Sequence, residues 1–184
     1  MFEIILANLA NALVMRKVPC MIIGGQAVLL YGEPRLTRDI NITFGVDNSH
    51  LGTILSILEA LFLRPLPEDI SSFVKKTNVQ PAEDEESGIR VDFIFSYTLY
   101  ESQAIKRAIK VYIRNQGVMY ASVEDLIIHK IFSGRPRDLE DVESVIGKHP
   151  GVDTQYIKGW LSRFDDFSDE YIFLATFQRL ILKK

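Results

Sequence analysis

The stretch GGQAVLLYGEPRLTRDINI (residues 24–42) decides the fold of this 184-residue chain. The apolar run Cys20–Ile23 precedes it and has the length and composition of a buried strand. Two glycines follow, and then a helical pattern over residues 26–31. A strand, a glycine turn and a helix in this order expose backbone N–H groups at a helix N-terminus, where phosphate is favoured. A tight turn without a ligand has the same pattern, so both interpretations remain open here.

Two carboxylates lie on predicted strands downstream of this turn. Polar and apolar residues alternate over residues 39–44, which places Asp39 and Asn41 on one face with Cα atoms about 6.5 Å apart. Asp92 interrupts a second alternating run, residues 89–96. A buried, unpaired carboxylate costs several kcal/mol, so we expect Asp92 to face a cation, a metal or a strong hydrogen-bond donor. Oxygen ligands from two neighbouring strands suit Mg²⁺, whereas solvated polarity on an edge strand is the alternative for residues 39–41.

These segments resemble the motifs of the DNA polymerase β-like nucleotidyltransferase superfamily. Residues 24–42 are similar to its Gly-Gly … Asp-x-Asp signature, and residues 91–95 are similar to its third carboxylate strand. The segment EDLIIHKIFSGRPRDLEDV (residues 124–142) resembles its Lys … Lys/Arg-Asp-x-x-Asp helix pair. More narrowly, the motifs resemble the minimal and AbiEii-type nucleotidyltransferases of prokaryotic toxin–antitoxin systems. The resemblance covers residues 15–146.

The resemblance implies an enzyme that transfers a nucleoside monophosphate from a nucleoside triphosphate to a hydroxyl of RNA, a protein or a small molecule. It implies Mg²⁺ or Mn²⁺ as the cofactor. The implied catalytic and metal-binding residues are Asp39, Asn41 and Asp92. The implied nucleotide-binding residues are Gly24, Gly25, Arg38, Lys130 and Asp138, with Asp141 at the second acidic position of the later helix. For Arg38, a solvated loop cation is an equally good interpretation as a contact with phosphate.

Asn41 departs from the family pattern, which has a second Asp at this position. A unit-charge pair about 4 Å apart is worth roughly 4 kcal/mol at an effective dielectric near 20. The neutral amide therefore leaves three outcomes open: a slow enzyme, a nucleotide binder with one metal, or an inert relative. The alternative function is a catalytically weak or inactive interaction protein of a toxin–antitoxin-like system. A metal-dependent nuclease ranks below both, because the glycine turn has no obvious use there.

The order of predicted elements favours an α/β (α+β) fold with a small mixed β-sheet, flanked by helices and followed by a helical C-terminal portion. We expect residues 1–121 to form the nucleotidyltransferase core and residues 122–184 the helical portion of the same domain. Predicted helices cover residues 2–16, 26–31, 51–62, 123–133, 154–164 and 168–182, with another starting near Pro136. Residues 73–80 suggest a short strand, residues 81–88 a turn, and residues 110–121 a hairpin around 115–117.

The composition excludes several classes of protein. A net charge of −3 argues against binding of nucleic acid through an extended basic surface. A basic run, Lys106, Arg107, Lys110 and Arg114, could contact RNA or could be a solvated face. The single cysteine cannot form an internal disulfide, which favours a reducing compartment. Without a basic leader or a membrane-length apolar run, we expect a cytoplasmic protein with no membrane contact.

Overall fold

The computed structural model describes residues 1–96, 98–169 and 172–182. These residues form two compact units. Unit 1 comprises Met1–Gln26 and Leu36–Ala121, and unit 2 comprises Ala27–Arg35 and Ser122–Lys184. The expectation of one domain spanning residues 1–121 and 122–184 stays a prediction.

Unit 1 is built around a seven-stranded sheet. Its strands are β1 (Cys20–Ile23), β2 (Asp39–Phe44), β3 (Leu63–Pro65), β4 (Val79–Asp84), β5 (Arg90–Phe95), β6 (Ile109–Ile113) and β7 (Gln116–Tyr120). Their spatial order is β3-β4-β5-β2-β1-β7-β6. The β2–β5 and β1–β7 pairs are parallel and the other pairs are antiparallel. The predicted mixed sheet is therefore confirmed, and β2 and β5 are neighbours at its centre.

Helices cover the sheet of unit 1 and make up most of unit 2. They are α1 (Phe2–Met15), α2 (Gly24–Tyr31), α3 (Leu51–Ala60), α4 (Ile70–Thr77), α5 (Leu99–Arg107), α6 (Val123–Ser133), α7 (Pro136–Lys148), α8 (Thr154–Asp165) and α9 (Phe173–Leu182), with a 3₁₀ turn at Asn48–His50. The apolar side of α1, including Leu6, Leu9 and Leu13, is buried where the helix packs on β7 and β6. One face of the sheet is fully apolar at its centre, with Ile42 and Phe93 excluded from solvent. The predicted fold class is confirmed.

In unit 2, helix α6 and the start of α7 follow the sequence signals. The Ser122 hydroxyl accepts a hydrogen bond from the Asp125 amide and caps α6, and Gly134 ends that helix at φ +65°. Pro136 is the first residue of α7. Helix α9 begins at Phe173, five residues after the predicted start at residue 168, and residues 170 and 171 of the predicted helix lie outside the described residues.

The prediction for residues 73–88 is wrong at residues 73–77, which are helical, and at residues 81–84, which belong to a strand, whereas residues 79–80 lie in a strand and residues 85–87 form a turn as predicted. Helix α4 extends to Thr77 and ends at Asn78, which adopts a left-handed conformation, and β4 runs from Val79 to Asp84. Pro81 suggested a turn, because proline is rare within sheets. In the structure β4 pairs with β5 from Val79 to Glu83, and the Pro81 carbonyl accepts a hydrogen bond from Leu66 N–H. Pairing with a distant strand thus outweighs the local proline signal.

The hairpin is confirmed, but its turn lies one residue earlier than predicted. Ile113 pairs with Gln116, so the turn consists of Arg114 and Asn115 alone. Both have positive φ, 49° and 65°, as a type I′ turn requires. Strand β3 and helix α5 were not predicted at all. No helix among the described residues is both long and apolar enough to span a membrane.

Candidate functional site

Three of the predicted site residues lie side by side on one face of the sheet. Asn41 on β2 is in register with Asp92 on β5, and Asp39 is in register with Arg90. Paired residues of neighbouring strands share a face, and side chains two apart along a strand do so as well. Asp39, Asn41 and Asp92 are each half-buried, whereas the intervening Ile40 is fully buried on the other face. The strand pattern therefore brings two carboxylates and one amide to the same half-buried surface.

The glycine turn lies directly against Asn41. Ile23, the last residue of β1, is in register with Asn41, and Gly24 follows at φ +67°. A Cβ atom on Gly24 would lie only 3.0 Å from Asn41 Nδ2. Residue 24 must therefore be glycine for two reasons: its backbone conformation and the space that Asn41 occupies. Gly24 and the buried Gly25 open α2, so their N–H groups are among those without partners inside the helix.

Both carboxylates are held by neighbouring side chains. The Thr37 hydroxyl donates to Asp39 Oδ1 at 3.2 Å. Arg90 Nε donates to Asp92 Oδ1 at 2.8 Å, and the Asp92 side chain is 15% exposed while that of Arg90 is 52% exposed. Sequence reasoning missed the role of Arg90, although its position two residues before Asp92 on a strand was the available signal. Arg90 neutralises part of the negative charge on this face.

The amide at position 41 determines which metal could fit. Among the described residues, no group of three or more His, Cys, Asp or Glu side chains is arranged to hold a metal ion. Next to Asn41 the face carries two carboxylates, Asp39 and Asp92, and the Asn41 carbonyl could add a third oxygen ligand. Glu83 on β4 shares this face, because it is in register with Arg90, but it is paired with Arg64 at 2.8 Å. Mg²⁺ tolerates such a set, because it is commonly bound through one or two carboxylates and takes water and substrate phosphates for the rest. The donor set fits one such ion.

Lys130 and Asp138 lie in unit 2, where they bind each other. Lys130 Nζ is 2.5 Å from Asp138 Oδ1 and 2.9 Å from Asp141 Oδ2, and all three side chains are buried. Arg35 makes two hydrogen bonds to Asp141, of 2.8 and 2.9 Å, and Arg135 binds Asp138 at 2.6 Å. We call these five residues the charge network. The predicted contacts of Lys130 and Asp138 with nucleotide stay predictions.

The charge network also lowers the pKa values of its two carboxyl groups, Asp138 and Asp141. Burial alone would raise the pKa of Asp138, but hydrogen bonds from Arg135 and Lys130 outweigh it, so the net pKa is lowered. The pKa of Asp141 is lowered in the same way, because Arg35 and Lys130 outweigh the effect of burial. Both groups are therefore ionised at neutral pH, and the network carries two negative and three positive charges.

Arg38, Cys20 and the basic run were the remaining candidates from the sequence. Arg38 is exposed and forms no ion pair within the part of the chain that the structure describes. Burial raises the pKa of the Cys20 thiol to about 12, which makes it a poor nucleophile. The basic run is divided between α5 and the hairpin, where Lys110 and Arg114 are exposed.

The comparison with protein families agrees with this arrangement. The model of the family described as "Nucleotidyltransferase of unknown function (DUF6036)" matches residues 4–149. The chain belongs to this family. The match includes β1, the glycine turn, β2, β5, the α6–α7 pair and the loop with Arg38, and so covers all the predicted site residues. No curated protein matches the sequence.

Solved structures of nucleotidyltransferases share the fold. An antigenic nucleotidyltransferase-like protein from Paracoccidioides brasiliensis is 16% identical, with a TM-score of 0.58 over 95% of this chain and 92% of its own. ANT(2″)-Ia in complex with adenylyl-2″-tobramycin is 19% identical, with a TM-score of 0.57 over 85% and 91% of the two chains. The lincomycin-bound lincosamide adenylyltransferase LnuA is 18% identical, with a TM-score of 0.51 over 73% and 90%. At these identities the likeness shows the fold alone.

Proposed function

We propose that this nucleotidyltransferase transfers a nucleoside monophosphate from a nucleoside triphosphate to a hydroxyl of RNA, a protein or a small molecule. One observation carries the proposal: Asp39, Asn41 and Asp92 share a half-buried face, and the Gly24 turn lies against Asn41. Carboxylates suited to a divalent cation thus adjoin backbone N–H groups suited to phosphate. That combination has a direct use in holding a metal-bound triphosphate.

Each residue has a role in this reaction. Asp39, Asp92 and the Asn41 carbonyl would hold Mg²⁺ or Mn²⁺, which supplies charge stabilisation at the phosphate oxygens. The N–H groups of Gly24 and Gly25 hold the triphosphate, and Arg38 adds positive charge. The acceptor oxygen attacks the α-phosphorus, the bond from that phosphorus to the oxygen bridging to the β-phosphorus breaks, and pyrophosphate leaves. Asp92 takes the proton of the acceptor hydroxyl.

The roles of Lys130 and Asp138 require a separate experiment. The sequence prediction gives Lys130 a contact with phosphate, whereas the charge network gives it a structural role. In a Lys130→Met variant, a raised KM for the triphosphate at an unchanged melting temperature would indicate the first role. A lowered melting temperature with an unchanged KM in the remaining folded enzyme would indicate the second.

The transfer itself is tested with α-³²P-labelled triphosphates. The protein is incubated with each of the four labelled triphosphates, with Mg²⁺ or Mn²⁺, and with RNA, protein and small-molecule acceptor pools. We expect label to enter one acceptor class, and we expect Asp92→Asn and Asp39→Asn each to reduce the rate at least about a hundredfold. Absence of both transfer and nucleotide binding, even in an Asn41→Asp variant, would refute the proposal.

A second function is favoured by Asn41 and Arg90. The amide removes one negative charge from the site and the guanidinium neutralises another, which weakens the attraction for a dication. The alternative is a catalytically weak or inactive interaction protein of a toxin–antitoxin-like system, within the minimal or AbiEii-type group. Co-purification with the product of a neighbouring gene, together with no label transfer, would favour it. Robust transfer by the isolated chain would exclude it.

A further inference from the structure

A groove of about 520 Å³ opens on unit 1, away from any residue assigned above. It lies where the N-terminal end of α1, the end of α3 and the turn after β4 meet. Its apolar lining includes three side chains that solvent reaches: Met1 is 57% exposed, Ile4 41% and Phe62 81%. Its other edge is acidic, formed by Asp84, Glu85 and Glu86. The groove is thus an open apolar surface with one negatively charged side.

Phe62 occupies a position where both the backbone conformation and the solvent exposure disfavour a large apolar residue. It follows Leu61, the C-cap of α3, and adopts φ +56°, a conformation that bulky L-residues rarely accept. At this position after a helix, glycine or asparagine is the usual residue. The aromatic ring is also left in water. Neither the backbone nor the burial of the ring explains a phenylalanine here, whereas a contact with a partner would.

The acidic edge has little compensating charge of its own. Two cationic groups are nearby. They are the α-amino group of Met1, which lines the groove, and Arg64, which binds Glu83 at 2.8 Å and Glu85 only at 3.8 Å; the carboxylates of Glu83, Asp84, Glu85 and Glu86 outnumber them. Asp84 accepts hydrogen bonds from Ser87, which leave its negative charge in place. Glu86 is exposed and makes no ion pair with the described residues. The edge therefore attracts cations and repels anionic lipid and nucleic acid.

We propose that this groove docks a basic amphipathic helix from a partner protein. Apolar side chains at helical spacing would enter the groove against Met1, Ile4 and Phe62, and lysines or arginines on the flank would meet Asp84, Glu85 and Glu86. Helices bind apolar grooves in this way through anchors at positions i, i+3 or i+4, and i+7. The opposite charges fix the direction of the segment and favour it over other apolar helices. The proposal does not depend on nucleotidyl transfer.

The test uses the full chain and three labelled peptides of about 14 residues. The probe contains only leucine and lysine, with the leucines on one helical face. One control has the same composition in scrambled order, and another replaces each lysine with glutamate. Fluorescence anisotropy measures affinity, and backbone-amide NMR shifts locate the bound peptide. We expect the probe to bind at least about tenfold more tightly than either control, with shifts concentrated at both ends of the groove.

Two variants examine the groove and one serves as a matched control. Phe62→Gly should weaken probe binding at least about tenfold and raise the melting temperature by about 2–4 °C, since it relieves the backbone at that residue. Glu85→Lys with Glu86→Lys should weaken binding to a similar extent. Phe167→Gly removes a phenylalanine that is 94% exposed in unit 2 and should leave binding unchanged.

Several results would overturn the proposal. Equal binding of the leucine–glutamate peptide would show that charge plays no part, and equal loss in Phe167→Gly would show that contact is non-specific. Shifts elsewhere on the chain would place the peptide at another surface. Sedimentation that reveals a dimer of this chain, abolished by Phe62→Gly, would assign the groove to a second copy instead.

Discussion

At the scale of single residues, position 41 has the greatest effect on the candidate site. Asn41 lies beside Asp92 in the parallel register of β2 and β5, and Gly24 approaches its side-chain amide. The side chain therefore lies at the proposed metal site and beside the turn that we propose to bind phosphate. Its neutrality reduces the charge that attracts a cation, but it also avoids a third carboxylate that would repel Asp39 and Asp92 when no cation is bound.

Asn41→Asp should lower the stability of the metal-free protein and raise its affinity for Mg²⁺ and triphosphate. In EDTA we expect a lower melting temperature, because a third carboxylate then lies beside Asp39 on the same strand and beside Asp92 on the neighbouring strand. With Mg²⁺ and a triphosphate, we expect binding at least about tenfold tighter than in the natural chain. Calorimetric titration and thermal unfolding measure the two effects.

The control for this variant is Asn115→Asp, which makes the same charge change in the exposed hairpin turn of unit 1. It should alter neither Mg²⁺ affinity nor the response of the melting temperature to EDTA. An Asn41→Asp protein with unchanged metal affinity would remove residue 41 from the metal site.

At the scale of elements, the charge network fixes α6 against α7. Lys130 on α6 contacts both Asp138 and Asp141 on α7, and Arg35 and Arg135 occupy the outer oxygens of these carboxylates. Buried charges are costly to separate from their partners, even when the intact pair adds little to stability. Removing the central cation therefore leaves two buried carboxylates with one guanidinium each and an unfilled position between them.

Lys130→Met should lower the free energy of unfolding by about 3–5 kcal/mol. Lys148→Met removes the exposed pair of Lys148 with Glu33 and the hydrogen bond from Lys148 Nζ to the Gly32 carbonyl, and it should cost no more than about 2 kcal/mol. Urea unfolding at pH 7 compares the two variants. A loss in Lys130→Met as small as in Lys148→Met would show that water or rearrangement replaces the ammonium group.

For the hairpin of β6 and β7 we predict substitutions that stabilise the protein. Its turn residues, Arg114 and Asn115, both have positive φ, for which Asn-Gly is the preferred pair. Arg114→Asn combined with Asn115→Gly should therefore raise the melting temperature by about 2–4 °C. Calorimetry measures the change, and an unchanged or lower value would mean that Arg114 makes a stabilising contact through its side chain.

At the scale of the whole molecule, a histidine in unit 2 makes stability depend on pH. Burial lowers the pKa of His129 from 6.5 to about 4. Between these values the unfolded chain binds a proton that the folded chain does not, so stability falls as the pH decreases from 6.5 to 4. The lowered pKa values of Asp138 and Asp141 act below this window, since their contribution is lost as the pH falls below about 4.

His129→Gln should flatten the first part of this curve. Urea unfolding between pH 7 and pH 4 should show a decrease of up to about 3 kcal/mol in the natural chain and a smaller one in the variant. The fall below pH 4 should remain in both proteins. A variant with the same slope between pH 6.5 and pH 4 would assign the dependence to other groups.

The sequence by itself determined the elements whose signals are local. Cys20–Ile23, the glycine turn, the alternation in β2 and β5, the Ser122 cap, the Gly134 stop and the Pro136 start all depend on side chains within a few residues of one another. The ordered motifs also indicated a nucleotidyltransferase, and the match of the family model over residues 4–149 confirms that family.

Only the tertiary structure decided what depends on residues distant in sequence. The register of β2 against β5 places Asn41 beside Asp92, and the antiparallel neighbour of β4 makes Pro81 part of a strand. Lys130, which the motif assigned to phosphate, is bound by carboxylates on the next helix, and Arg90 engages Asp92. Strand pairing and ion pairing are set by which surfaces meet in three dimensions, and no local pattern of side chains encodes that choice.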